Sequence, residues 1–286
     1  MDIAFQALVM GIVQGLTEFL PISSSGHLIL VPYLLGLKDP FIDSLAFSVM
    51  LHMGTLAALL AYFWRDWARL VPAGIAALRD RSFRGDNDRR LAWLLVATLP
   101  PAVVLGVLLN DFFEEKVRQP ILVAAMLVVG AAILWLADRL GRRSDPIERL
   151  GFGGAIGIGF AQALALVPGI SRSGISISAG LALGLSREAA TRFSFLMATT
   201  VIAGAGLFEL KKLVGGQVVG DVNGGAILIG FVAAAVSGLA AIHLLLRFVR
   251  NHQMTVFVAY RLLFAAVVAI VVLAALRGPR AAAWRS

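Results

Sequence analysis

Residues 11–27 read Gly11-Ile-Val-Gln14-Gly-Leu-Thr-Glu18-Phe-Leu-Pro21-Ile-Ser23-Ser24-Ser25-Gly26-His27. Residues 159–174 read Gly159-Phe-Ala-Gln162-Ala-Leu-Ala-Leu-Val-Pro168-Gly169-Ile-Ser171-Arg172-Ser173-Gly174. Advanced by 148 residues, Gly11, Gln14, Leu16, Ile22, Ser23, Ser25 and Gly26 fall on identical residues of the second string. Each string is polar within an apolar helical pattern, and proline interrupts both, at Pro21 and at Pro168-Gly169. Irregular backbone at membrane depth is tolerated only where protein or a wet cavity covers it. The strings are therefore read as the tips of two re-entrant helical hairpins, over residues 3–36 and 151–185.

The membrane reading comes from what surrounds the strings. Apolar runs at 44–63, 91–109, 119–137, 193–209, 225–246 and 254–275 can each cross a bilayer, since about 20 residues suffice. The chain is 59% hydrophobic and 15% charged, whereas a soluble domain carries about 25% charge. It has no cysteine, which excludes disulfide and thiolate chemistry. The first helix lacks the basic leader and small-residue cleavage site of a signal peptide and is expected to stay in the mature protein.

The net charge of +8 points to membrane topology, not nucleic acid. Of the 25 lysines and arginines, 15 fall in 64–90, 138–150, 185–192 and 247–253, and 8 fall in the links on the other side. Basic loops stay in the cytoplasm, so 64–90 is expected there and both termini outside. The similarity of the strings continues in Ala46-Phe47-Ser48 and Arg192-Phe193-Ser194. Each half then holds one hairpin and three spans, and an odd span count inverts the second half. The expected fold is an all-α integral membrane protein of about six transmembrane helices plus two hairpins. Its inverted-topology repeats, 1–146 and 147–286, form one membrane domain.

The hairpin tips carry the chemistry. Gln14 and Glu18 share a helix face, and a carboxylate in an apolar helix marks a functional site by default. Glu18 could bind a metal, serve as a base, or pair with a cation such as Arg261. Magnesium suits one or two carboxylates together with substrate phosphate. Ser23, Ser24, Ser25 and Gly26 precede a fresh helix, where serine caps and free N–H groups bind anions. Ser24 and His27 lie about a turn apart, as nucleophile and base or in the reverse roles. Ser171, Ser173 and Gly174 repeat the anion-cap pattern, and Arg172 adds a planar fork for phosphate oxygens. His52 reads as internally hydrogen-bonded, and Arg261 as a partner of Glu18 or of a distal phosphate.

Gln14-x-x-x-Glu18, Pro21-Ile-Ser23-Ser24-Ser25-Gly26-His27 and Pro168-Gly-x-Ser171-Arg172-Ser173-Gly174 resemble the BacA/UppP family of bacterial undecaprenyl-diphosphate phosphatases. The resemblance runs over nearly the whole chain, through Phe193-Ser194-Phe195-Leu196 and Tyr260-Arg261. Two positions vary within that family's pattern. The family's first motif is glutamate or glutamine followed four residues on by glutamate, and this chain has Gln14 in the first place, leaving a single carboxylate; Ser25 stands where many members have threonine.

The resemblance implies a multi-pass enzyme of the bacterial plasma (inner) membrane that converts undecaprenyl diphosphate to undecaprenyl phosphate for envelope synthesis. It also implies a divalent cation (Mg2+, with Ca2+ as the alternative), an active site reached from the outer face, and bacitracin resistance when the enzyme is abundant. Membrane lipid is the expected surrounding; a homodimer is left open. On this reading Ser24 attacks, His27 is its base or the alternative nucleophile, Glu18 binds the metal or orients the attacking group, and Gln14 supports it. Arg172, Ser171 and Ser173 clamp the phosphate.

Two rivals remain at this level. Inverted repeats with broken helices also build transporters, so a flippase of polyprenyl phosphate lipids would use the same anion clamp. A pure carrier, however, has little use for a carboxylate beside a phosphate. A lipid-binding structural protein would leave the polar cluster unexplained.

Overall fold

The computed structural model describes residues 2–37, 39–42, 44–83, 86–116, 119–142, 144–214 and 223–277. Lys38, Arg84, Arg118, Arg143, Arg280 and Arg285, which enter the basic-residue count, lie outside the described residues. The described chain is helical from end to end. In order, the helices are α1 (Ile3–Phe19), α2 (Ser24–Leu35), α3 (Leu45–Tyr62), α4 (Trp64–Asp80), α5 (Asn87–Ala97), α6 (Leu99–Lys116), α7 (Pro120–Leu140), α8 (Phe152–Ala163), α9 (Arg172–Ala182), α10 (Arg187–Val214), α11 (Gly224–Asn251) and α12 (Thr255–Arg277).

Both hairpins break for the same reason. A residue before proline is pushed out of the α region by the ring. Leu20, before Pro21, takes φ −64 and ψ 140. Val167, before Pro168, takes φ −74 and ψ 114. The second turn continues through Gly169 at φ +100, where a side chain would also meet Val123 O. The chain then restarts as α2 and α9.

Among the described residues, six helical segments are long and apolar enough to cross a membrane, namely Leu45–Tyr62, Asn87–Gly106, Pro120–Leu140, Arg187–Glu209, Gly224–Asn251 and Thr255–Ala274. Their outer faces carry large apolar side chains in the open, among them Leu60, Val103, Trp135, Leu207, Leu228, Leu263 and Ile270. A water-facing surface would not be built this way, and a lipid-facing one would. The protein is an all-α integral membrane protein.

Two expectations are refined. The run at 91–109 is one crossing made of two helices, α5 and α6, joined at Thr98 ahead of Pro100 and Pro101. Residues 64–90, read as a basic link, contain the amphipathic helix α4. Its exposed stripe of Trp64, Val71, Ile75 and Leu78 recurs at helical spacing, with Arg65, Arg69 and Arg79 on the same helix.

Small residues allow close packing between the halves, as in membrane bundles generally. α11 lies between α1 and α3. A Cβ on Gly15 would fall 2.4 Å from Ala234 O, and one on Gly54 would fall 2.5 Å from Phe231 O. Also across the halves, Gly159 of α8 sits so close to the α5–α6 junction that a Cβ would lie 2.5 Å from Thr98 O. α12 packs along α7, and α9 packs on both α7 and α10. Buried Asp138 of α7 accepts from Arg187 Nε at 2.6 Å and from Met254 N at 3.0 Å, joining α7, α10 and the start of α12.

Candidate active site

The two hairpin tips meet in the interior. Ser173 Oγ, at the start of α9, donates to Leu20 O across the junction at 3.0 Å. Arg261 of α12 is fully buried and spans both turns. Its Nη1 donates to Pro21 O at 3.4 Å, its Nη2 to Gly169 O at 2.7 Å and to Ile170 O at 2.9 Å, and its Nε to Leu127 O at 3.1 Å. Gly130 makes room for it, since a Cβ there would lie 2.0 Å from Nη2. Sequence left Arg261 to pair with Glu18 or a phosphate. Its hydrogen bonds instead go to backbone carbonyls of both tips, so it is a pin that supports the site from behind.

Glu18, in the last turn of α1, is 5% exposed and receives donors from several elements. Its Oε2 accepts from Ser24 Oγ at 2.6 Å and from Gln14 Nε2 at 3.1 Å. Its Oε1 lies 3.5 Å from Arg172 Nη2. Ser24 and Arg172 hold equivalent places in the two sequence strings, and each meets a different oxygen of the same carboxylate. The Arg172 side chain remains 27% exposed while that of Glu18 is almost covered, so the guanidinium can turn to an incoming anion.

The serines flanking this contact are matched across the halves. Ser23 and Ser171 both adopt φ 79. Ser23 Oγ accepts from Gly26 N at 3.3 Å, and Ser171 Oγ from Gly174 N at 3.1 Å. Ser25 Oγ lies 3.3 Å from Ser23 Oγ, and Ser173 Oγ 3.2 Å from Ser171 Oγ. The left-handed region costs a non-glycine residue about 1–2 kcal/mol, and such strain collects at functional sites. These turns place Ser24 and Arg172 at the first helical positions of α2 and α9, with their side chains at the tips.

One expected pairing is corrected. Ser24 and His27 share a helix face, but they do not pair. The hydroxyl of Ser24 is taken by Glu18. His27 Nδ1 lies 2.7 Å from Ser23 O and Nε2 lies 2.8 Å from Tyr260 Oη. Side chains tilt towards the N-terminus of their helix. At the first position of α2 that direction is the end of α1, where Glu18 sits. The group beside the Ser24 hydroxyl is therefore the Glu18 carboxylate.

His52 is internally bonded, as expected, with Nδ1 2.8 Å from Ser48 O. Its Nε2 also faces Glu18, 3.9 Å from Oε2. His52 lies outside the repeated strings, and Tyr260 is visible in the sequence only as the neighbour of Arg261. His52 lies one turn after Ser48, but periodicity alone does not say which helix that face meets.

This constellation can be set against known proteins. The family model described as "Bacitracin resistance protein BacA" matches residues 7–267. The chain belongs to the BacA family. It is 44% identical over 274 residues to a protein of Desulforudis audaxviator named undecaprenyl-diphosphatase, covering 96% of this chain and 99% of that one. It is 45% identical over 269 residues to a protein of that name from Rubrobacter xylanophilus, covering 94% and 98%. A third of that name, from Alcanivorax borkumensis, is 46% identical over 259 residues, covering 91% and 95%. The matched BacA region spans both hairpin tips and the Tyr260-Arg261 pair, so every residue of the constellation lies within it.

Proposed function

We propose that the protein hydrolyses undecaprenyl diphosphate to undecaprenyl phosphate and inorganic phosphate. This recycles the lipid carrier of envelope synthesis and confers bacitracin resistance when the enzyme is abundant. The family description and the names of the relatives support the reaction class. The observation that carries the assignment of roles is the 2.6 Å bond from Ser24 to buried Glu18, with Arg172 on the other carboxylate oxygen. A carrier of phosphate lipids would have no use for a hydroxyl so paired.

In the proposed sequence, Ser24 Oγ attacks the terminal phosphorus and its proton passes to Glu18. The bond from phosphorus to the bridging oxygen breaks, and Glu18 gives the proton to the departing undecaprenyl phosphate. A water molecule then attacks the phosphoserine, yielding a proton to Glu18 as its hydroxyl joins phosphorus. Ser24 Oγ leaves and takes that proton back. Arg172 offsets charge on the transferring oxygens, with the Ser25 hydroxyl as a further donor, while Ser173, whose hydroxyl hydrogen goes to Leu20 O, and Ser171, which lies against it, hold the α9 turn in place. The bilayer holds the lipid tail.

A divalent cation fits this donor set as one shared with the substrate. Among the described residues no group of three or more acidic, histidine or cysteine side chains could hold a metal. Glu18 is the carboxylate, and the Gln14 amide oxygen is buried without a hydrogen-bond partner. Together they would supply protein oxygens and the diphosphate the rest. Such an ion, Mg2+ or Ca2+, would neutralise diphosphate charge.

The proposed setting is the bacterial inner membrane, with 64–90 in the cytoplasm and the site open to the outer face. The proposed relation of the halves is inversion, supported by the matched φ and hydroxyl geometry of Ser23 and Ser171. The decisive assay is phosphate release from undecaprenyl diphosphate by detergent-purified protein, with and without chelator. Rapid quench with terminally labelled substrate should trap an acid-stable phosphoserine. No phosphate release under any divalent cation would overturn the reaction. Release without a phosphoserine would overturn the role of Ser24.

A further inference from the structure

His27 is gripped at both ring nitrogens, and the grip leads to the serine proposed to attack. A carbonyl oxygen only accepts, so the 2.7 Å contact with Ser23 O places the hydrogen on Nδ1. In the neutral ring Nε2 is then a lone pair, and the Tyr260 hydroxyl donates to it at 2.8 Å. The imidazole lies flat on Phe264, with centroids 4.3 Å apart and an interplanar angle of 4°, and Tyr260 stacks at 5.7 Å and 14°. His27 is 3% exposed, whereas Tyr260 is 40% exposed. Tyr260 directly precedes Arg261, so one turn of α12 grips the first hairpin twice, at Pro21 O and through His27.

We propose that Tyr260 is a positioning residue for the reaction, acting through His27 on the strained Ser23–Ser24 turn. The phenol engages Nε2 and thereby keeps the Nδ1 hydrogen on Ser23 O. In the other tautomer the Nδ1 lone pair would face that oxygen and repel it. Ser23 holds a left-handed φ of 79, and Ser24 follows it directly. Fixing the Ser23 carbonyl fixes where Ser24 Oγ stands against Glu18. On this assignment His27 does not take the serine proton. It is a strut whose far end is Tyr260.

The inference rests on the hydrolase reading above, and its test separates the two. Tyr260→Phe keeps the ring and its stacking and removes only the hydroxyl. In the purified full chain, kcat on undecaprenyl diphosphate should fall about tenfold, the worth of one hydrogen bond, with KM within about twofold. Histidine-selective 15N NMR, with His27 assigned by subtraction of a His27→Gln spectrum, should show an Nδ1–H ring in the wild type. In Tyr260→Phe the Nε2 resonance should move as its hydrogen bond is lost. His27→Asn offers the Ser23 carbonyl an N–H near the Nδ1 position, whereas His27→Gln places its amide near Nε2. The strut therefore predicts that His27→Asn retains at least tenfold more activity than His27→Gln. Wild-type kcat in Tyr260→Phe, or equally dead asparagine and glutamine variants, would overturn the proposal. Absence of turnover in the wild type would overturn the hydrolase reading instead, and the NMR result would still report on the contact.

Discussion

At the residue scale, the site is one buried carboxylate approached by a hydroxyl, an amide and a guanidinium. Removing the hydroxyl proposed to attack, in Ser24→Ala, should abolish phosphoenzyme formation and lower turnover by at least a thousandfold. Glu18→Gln should keep the fold but lose the proposed base, and single-turnover quench should then show no burst. Arg172→Lys retains a positive charge but not the planar fork. It should lower kcat/KM by about a hundredfold to a thousandfold, the worth of an oxyanion-type contact, measured as phosphate release. Activity of the lysine variant within a few-fold of wild type would show that the guanidinium geometry is not used. Glu18 and Arg172 were legible as single residues, because charge inside apolar helices demands an explanation. Their mutual distance was not legible, because they lie in different halves of the chain.

At the element scale, the hairpins depend on a pin that belongs to neither. Arg261 crosses to both tips only because Gly130 leaves its guanidinium space. Gly130→Ala would put a methyl group 2.0 Å from Nη2 and 2.7 Å from Ile170 O. The expected result is a loss of activity of at least tenfold, with far-ultraviolet circular dichroism unchanged, since a helix centre accepts alanine readily. A fully active Gly130→Ala enzyme would show that the tips keep their places without the pin. The breaks themselves were readable in the sequence, since Pro21 and Pro168 dictate the extended residue before each of them. The helical state of 64–80 was not, because its arginines dominate the composition and hide a four-residue apolar stripe.

At the scale of the whole molecule, lipid faces the outer surface and the two halves interlock. The chain has no cysteine, so single cysteines report topology cleanly. Arg79→Cys, exposed on α4, should resist membrane-impermeant thiol reagents in intact cells and react after permeabilisation. Ready labelling in intact cells would reverse the proposed orientation. Asp138→Ala leaves Arg187 and Met254 N without their buried acceptor. Breaking such a pair costs about 3–5 kcal/mol, which should appear as a marked fall in the thermal midpoint in detergent. An unchanged midpoint would mean that α7, α10 and α12 are held by apolar packing alone.

The sequence by itself determined the solvent, the membrane crossings and the polar groups of the two tips. Long apolar runs require lipid, prolines break the hairpins, and the repeated serine strings mark where two tips carry matching turns. All of these are local properties, set within a few residues of each position. Only the tertiary structure decided who meets whom. Whether Ser24 turns to His27 or to Glu18 depends on how α2 returns across the Pro21 turn, and the result is a bond to Glu18. The depth of Arg261, the face of His52 and the reach of Tyr260 depend on how helices far apart in the chain pack together. Spacing along one helix fixes which side chains share a face, and contact between helices fixes what that face touches.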